Sequence, residues 1–312
     1  MRRRTVLGAA AASISLPAFA SPVLSAETPI IDCHTHFYDP RRPEGIPWPA
    51  KDSSLYRPVL PEHLREQKQY RPLTGTVVVE ASPRVEDNDW LLQLAAGDRF
   101  LVGIIGRLSS GMVPLSGEFR EQVQKYSRNP LFRGIRIGSG ALRDMLDRSD
   151  FAALQLLAEH NLVLEVNGGP DTPGLIGAVA GRVPTLRWVL NHIGNIRITR
   201  EPPPPDWCEG IAAAGRHPNV YCKISALVEG AARDGERAPD DVAFYRPYTD
   251  VVWNAFTEER VIYGSNWPVS ERAGDYFTVQ RLAMEDAASR STTALARFCH
   301  TNAQTVYAWP ER

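Results

Sequence analysis

The sequence predicts an α/β fold, a single (β/α)8 TIM barrel, and three observations carry that prediction. Eight short, nearly continuous apolar runs recur along the 312-residue chain. Helical segments alternate strictly with them. Once residues 1–26 are set aside, the remaining length is usual for one barrel. Strands buried on both faces read as unbroken apolar runs; βα alternation implies a parallel sheet, and eight units close it.

The strands are expected over Pro29–Cys33, Thr76–Glu80, Phe100–Gly106, Phe132–Ile137, Val163–Asn167, Leu186–His192, Val220–Ser225 and Val261–Ser265. Each is built from Ile, Val, Leu or aromatic residues, the types that suit a pleated surface. Helices are expected over Pro61–Tyr70, Glu86–Ala96, Ser116–Ser127, Asp150–His160, Asp171–Gly181, Asp206–Arg216 and Asp241–Glu258. Several open on Asp, Ser or Pro, which cap a first turn or fit into it. Three segments break the rhythm. Residues 39–60 form a proline-rich loop carrying Trp48 and Tyr56, residues 201–205 hold four consecutive prolines too stiff for helix, and residues 226–240 are small and charged. All three should leave the C-terminal face of the barrel, the first and third as lids or as surface decoration.

Residues 1–26 read as an export signal. Arg2, Arg3 and Arg4 precede an apolar stretch over 6–20, and Ala18-Phe19-Ala20 has the small-x-small form of a cleavage site, with a second candidate ending at Ala26. Adjacent arginines followed by Thr5-Val6-Leu7-Gly8 point to the twin-arginine route and its export machinery, with the periplasm as destination. A general-secretion signal or an uncleaved anchor is the competing reading. Residues 27–312 are expected to form the barrel domain, with no later run apolar for long enough to span a membrane.

Thirty-five basic and 36 acidic residues leave a net charge of −1, which argues against nucleic acid as the main partner. Cys33, Cys208, Cys222 and Cys299 are too widely spaced for a zinc knuckle or a disulfide framework. Cys33 is expected in the core.

The chemistry concentrates at strand ends. Asp32-Cys33-His34-Thr35-His36 places two imidazoles at the end of the first strand. They can bind a metal or polarise a carbonyl oxygen. Glu80 ends strand two, Arg136 strand four, Asn167 strand five, His192 strand six, Lys223 and Ser225 strand seven, and Asn266 strand eight. Polar groups at so many strand ends describe a site at a barrel mouth. His63, His160 and His217 fall on helices or their ends and read as solvated or capping residues.

Taken in order, Asp32 to Phe37, Phe132-Arg133-Gly134-Ile135-Arg136, Leu190-Asn191-His192-Ile193-Gly194, Val220 to Ser225, Tyr263-Gly264-Ser265-Asn266-Trp267-Pro268, and Thr301-Asn302-Ala303 with Val306-Tyr307 resemble the amidohydrolase-related (amidohydrolase 2) family, in its branch of sugar-acid and dicarboxylate lactonases. The resemblance covers residues 29–308. It implies a barrel hydrolase that opens a lactone with activated water. Two departures stand out. Arg136 and Asn167 occupy the places nearest further metal ligands of the wider superfamily. Strand eight carries Asn266 where the family has the aspartate that takes the proton of the attacking water, and an amide cannot accept that proton.

The resemblance therefore leaves His34, His36 and His192 as the candidate metal set. A three-histidine zinc site and a metal-independent mechanism both fit it, the second at least as well. Glu80 is the candidate replacement carboxylate, as base or as orienter of a histidine; a structural ion pair with Arg136 is the alternative. Arg136 and Lys223 are expected to bind an anionic group of the small-molecule substrate, with Asn167 beside them, while Trp48, Tyr56 and Trp267 wall the pocket. A non-oxidative decarboxylase of the same family, and a non-catalytic periplasmic binding protein, are the competing functions.

Overall fold

The computed structural model describes residues 28–232 and 236–312; the segment read as an export signal, residues 1–26, lies outside them. Eight parallel strands follow one another around the sheet in chain order: β1 Ile31–Thr35, β2 Gly75–Val79, β3 Leu101–Gly106, β4 Phe132–Gly138, β5 Val163–Asn167, β6 Arg187–Leu190, β7 Val220–Ile224 and β8 Val261–Tyr263. The ring closes just past the strand ends. Thr35 bridges Trp267 in parallel, the Asn266 amide donates to the His34 carbonyl (2.8 Å), and the His36 amide donates to the Trp267 carbonyl (2.9 Å). The predicted (β/α)8 barrel is the fold.

Two layers of core hold it. Ile31, Cys33, Val77, Val79, Ile105, Val163, Val189, Tyr221 and Ile262 pack with Tyr307 of the C-terminal helix Asn302–Tyr307. Residues drawn from β1, β2, β3, β5, β6, β7 and β8 meet only inside the ring, so this cluster fills the barrel. A larger cluster, including Phe132, Leu164, Trp188 and Tyr263, lies against Leu154, Ile176, Trp207, Val252 and Phe298 of the helical layer. Cys33 is a core residue, as expected. Among the described residues no helix is long and apolar enough to cross a membrane.

Differences from expectation sit at element ends. The helix predicted to Tyr70 stops at Arg65. β6 ends at Leu190 and β8 at Tyr263, before the polar residues that follow them. His192 (φ 55°), Ile193 (φ 48°) and Asn266 (φ 60°) lie in the left-handed region, turning the chain off the strand direction. Two helices between strands were not anticipated, and no bounds were predicted for the helices after β8, Tyr276–Ala288, Thr292–Ala296 and Asn302–Tyr307. Ser139–Arg148 follows β4 directly, and the short helix Leu227–Ala231 falls in the segment read as a loop. It spans five residues, includes Gly230 and is too brief for a periodic signal.

Candidate active site

The pocket floor is built from three imidazoles. The ring centroids of His34 and His36 are 5.0 Å apart, and those of His34 and His192 are 4.3 Å apart. Asp32 anchors this corner: its Oδ1 accepts from the backbone amides of His34 (3.1 Å) and Ser265 (2.9 Å), and its Oδ2 accepts from the Tyr276 hydroxyl (2.9 Å). Gly264 lets β8 approach: a Cβ there would lie 2.8 Å from the His34 Cβ and 3.2 Å from the Lys223 Cδ.

Each ring has a distinct hydrogen inventory. His36 Nδ1 lies 2.9 Å from the Val79 carbonyl, which can only accept, so Nδ1 carries the hydrogen. Burial, with Arg136 nearby, holds the His36 pKa down at about 3, so Nε2 is bare. His34 Nδ1 faces the Lys223 Nζ at 3.2 Å. That ammonium is paired with Glu165 Oε1 at 2.8 Å, and the Tyr307 hydroxyl donates to the same oxygen at 2.6 Å. The pairing keeps the proton on Lys223, although burial draws its pKa down from the ordinary value. His34 Nδ1 therefore accepts, and its hydrogen sits on Nε2, a buried atom without a partner. Burial, then Lys223, keeps both His34 and His192 neutral. His192 Nδ1 meets the Ser225 hydroxyl at 2.7 Å.

Above this floor opens a cavity of about 490 Å³. His36, Trp48, Glu80, Arg107, Arg136, Asn167, His192, Asn195, Glu229 and Asn266 are among its lining residues. Arg136 donates through Nε to Glu80 Oε1 (3.0 Å) and through Nη2 to the Glu80 carbonyl (2.8 Å). Arg107 stands 3.9 Å from the same carboxylate. Asn195 Nδ2 donates to Asn167 Oδ1 at 2.9 Å. The Trp48 ring stands edge-on to His36 at 6.0 Å. On the opposite wall, Asn266 lies 3.3 Å from His36 Nε2 through Oδ1 and 2.7 Å from Glu229 Oε1 through Nδ2. Burial pushes the Glu229 pKa up to about 7.

The structure thus gathers His34, His36, Glu80, Arg136, Asn167, His192, Asn266 and Trp48 at one mouth. Lys223 is a correction. It is fully buried under the floor and ion-paired with Glu165, so it holds His34 and does not reach a substrate. Trp267 is also fully buried, with its ring on Phe37 and Nε1 donating to Glu271 at 2.8 Å; neither it nor Tyr56 lines this cavity. Glu229, Arg107, Asn195 and Glu165 were missed. Arg107 directly follows β3, the one strand for which no polar end residue was nominated. Glu229 follows the end of β7 within the unanticipated helix, where the same search of strand ends, extended by one turn, would have met it.

A divalent metal on His34, His36 and His192 needs a lone pair from each. His36 Nε2 offers one. His34 Nε2 does not, because the Lys223 ammonium at Nδ1 keeps the hydrogen on the other nitrogen. Among the described residues no group of three or more His, Cys, Asp or Glu side chains is placed to hold a metal ion. The donor set as folded does not fit zinc.

A parallel barrel with convergent histidines at its C-terminal mouth defines a class of hydrolytic enzymes. The chain belongs to the amidohydrolase family, whose model matches residues 31–309. An L-fucono-1,5-lactonase of Burkholderia ambifaria is 29% identical over 254 residues, covering 79% of this chain and 82% of that protein. An L-fucono-1,5-lactonase of Burkholderia multivorans is 27% identical over 274 residues, covering 85% and 90%. The crystal structure of an amidohydrolase from Burkholderia multivorans with bound zinc superposes with a TM-score of 0.78 at 24% identity, over 90% of this chain and 100% of that one.

Proposed function

We propose that the protein hydrolyses the 1,5-lactone of a neutral sugar acid without a metal ion. The observation that carries this reading is the unpartnered Nε2–H of His34 at a floor of neutral imidazoles. A lactone carbonyl seated there receives that hydrogen bond. Ser225 can donate to His192 Nδ1, leaving the His192 Nε2–H as a second donor. Both would strengthen as the carbonyl oxygen becomes an oxyanion.

The walls favour hydroxyls over an additional carboxylate. Arg136 is paired with Glu80, so its charge is answered before substrate arrives, while Arg107, 3.9 Å from the same carboxylate, stays partly exposed. Glu80, Arg136, Asn167 and Asn195 together offer donors and acceptors, as a polyhydroxylated ring requires. Trp48 supplies an apolar face. The named activity of the two Burkholderia relatives agrees with this chemistry. The leader over residues 1–26 would deliver the enzyme to the periplasm by the twin-arginine route.

A panel of 1,5-lactones of neutral aldonic acids, set against lactones of dicarboxylic acids, tests the reading through acid release. The neutral lactones should be turned over with kcat/KM at least about tenfold higher. The reverse order, or carbon dioxide release from aromatic acids, would contradict it.

A further inference from the structure

We propose that Glu229 is the base that takes the proton of the attacking water, supplying from the turn after β7 the carboxylate that position 266 lacks. The inference rests on lactone hydrolysis as proposed above and adds the residue that reading leaves open. Asn266 cannot act as base, since an amide nitrogen has no available lone pair and the amide oxygen is barely basic. Its Nδ2 instead touches the Glu229 carboxylate at 2.7 Å, while the other end of the amide touches His36. Glu229 therefore sits one hydrogen bond behind the place where the family carries its aspartate. It lines the cavity, and its Oε2 is shielded from solvent with no partner. Burial raises the pKa of Glu80, the other carboxylate of the pocket, as well, but its Oε1 already accepts from Arg136 at 3.0 Å and Arg107 stands 3.9 Å away, so it is the less available base.

The pairing also accounts for an amide at 266. An aspartate there would place two carboxylates in hydrogen-bond contact, and both could not ionise. An asparagine can turn over. With Nδ2 toward Glu229 it serves the ionised base. With Oδ1 toward Glu229 it accepts from the protonated acid, and Nδ2 then donates to the bare His36 Nε2, which otherwise faces an oxygen. Either protonation state of Glu229 thus finds a partner.

The step balances without any other reagent. The water oxygen bonds the lactone carbonyl carbon as its proton passes to Glu229. The oxyanion rests on His34 and His192. On collapse the ring C–O bond breaks, and the leaving oxygen takes the proton back from Glu229. The product is the open hydroxy acid, which ionises to its carboxylate.

Besides Asn266, the groups facing Glu229 are Arg272 of the turn Val269–Arg272 and Tyr245 of the helix Val242–Phe256. Arg272 favours the ionised form and burial opposes it more strongly, so the base is competent above about pH 7. Wild-type kcat should rise with pH through that value.

Two measurements decide the proposal. Glu229→Gln should lower kcat at least ~100-fold with KM nearly unchanged, and Glu229→Gln/Asn266→Asp, which moves the carboxylate across the same contact, should recover at least about tenfold of the loss. A Glu229→Gln enzyme within about threefold of wild type overturns the assignment while leaving lactone hydrolysis intact. Independently of any substrate, the carboxyl carbon of Glu229, assigned by its loss in Glu229→Gln, should titrate near pH 7 in ¹³C spectra of the free protein. Titration at the ordinary carboxylate value overturns the proposal even if no lactone is turned over.

Discussion

Lys223 decides which nitrogen of His34 carries hydrogen. Its ammonium stands 3.2 Å from His34 Nδ1 and is held there by Glu165 at 2.8 Å, both atoms of that ion pair being fully buried. The consequence appears on the far side of the ring, where the buried, unpartnered Nε2 carries an N–H instead of a lone pair. A buried lysine under the floor is in this way part of the site without touching its ligand.

Lys223→Met should therefore act on stability and on turnover separately. It strands the Glu165 carboxylate in the core, at a cost of about 3–5 kcal/mol in urea unfolding. Replacing both partners, Lys223→Met with Glu165→Leu, should return most of that stability. Turnover should stay low in the double variant, because nothing then fixes the His34 tautomer. Recovery of activity together with stability would show that the ion pair only packs the barrel.

The neutral histidines make the fold acid-sensitive. His36 is held at about 3, and His34 and His192 well below 6.5. Below pH 6.5 the unfolded chain takes up protons that the folded site refuses, so stability falls as pH drops. Each ring contributes up to ~1.4 kcal/mol per pH unit. Glu229, raised from 4.5 to about 7, works in the opposite sense between those values. Glu80 and Asp32, whose pKa values burial also raises, do likewise, and together the three offset part of this loss. The urea midpoint should be lower at pH 5.5 than at pH 7.5; an equal or higher midpoint would contradict the assignment of neutral rings.

Glu80 sets the charge preference of the pocket by answering Arg136. Glu80→Gln frees that guanidinium, so KM for a dicarboxylate lactone should fall relative to that for a neutral one by about tenfold, with a smaller effect on kcat. An unchanged ratio would mean that Arg136 does not face the substrate.

These residues also show what could be seen in the sequence and what could not. The barrel was legible because eight doubly buried strands leave eight apolar runs, and none was missed. His34, His36 and His192 were legible because they end such runs. The role of Lys223 was not: a lysine near the end of β7 reads alike whether it faces substrate or Glu165, and only the closed ring brings Glu165 and His34 to it. Glu229 was hidden for another reason. Its helix is one turn long, and its partnership with Asn266 spans 37 positions.

The reading of residues 1–26 as a twin-arginine leader makes a separate prediction. Arg3→Lys with Arg4→Lys should strand the full-length chain in the cytoplasm of a cell that exports the wild type, as read by fractionation. Unchanged export would point to the general secretory route.

The central claim is hydrolysis of a neutral lactone by protein groups alone. The measurement that tests it most directly is turnover of an aldono-1,5-lactone by purified enzyme before and after exhaustive chelation, with metal content assayed in both samples. The account predicts kcat/KM within about threefold in the two, with metal far below stoichiometric after chelation. Activity lost on chelation and restored by zinc would put a metal on these histidines and contradict the hydrogen placement derived for His34.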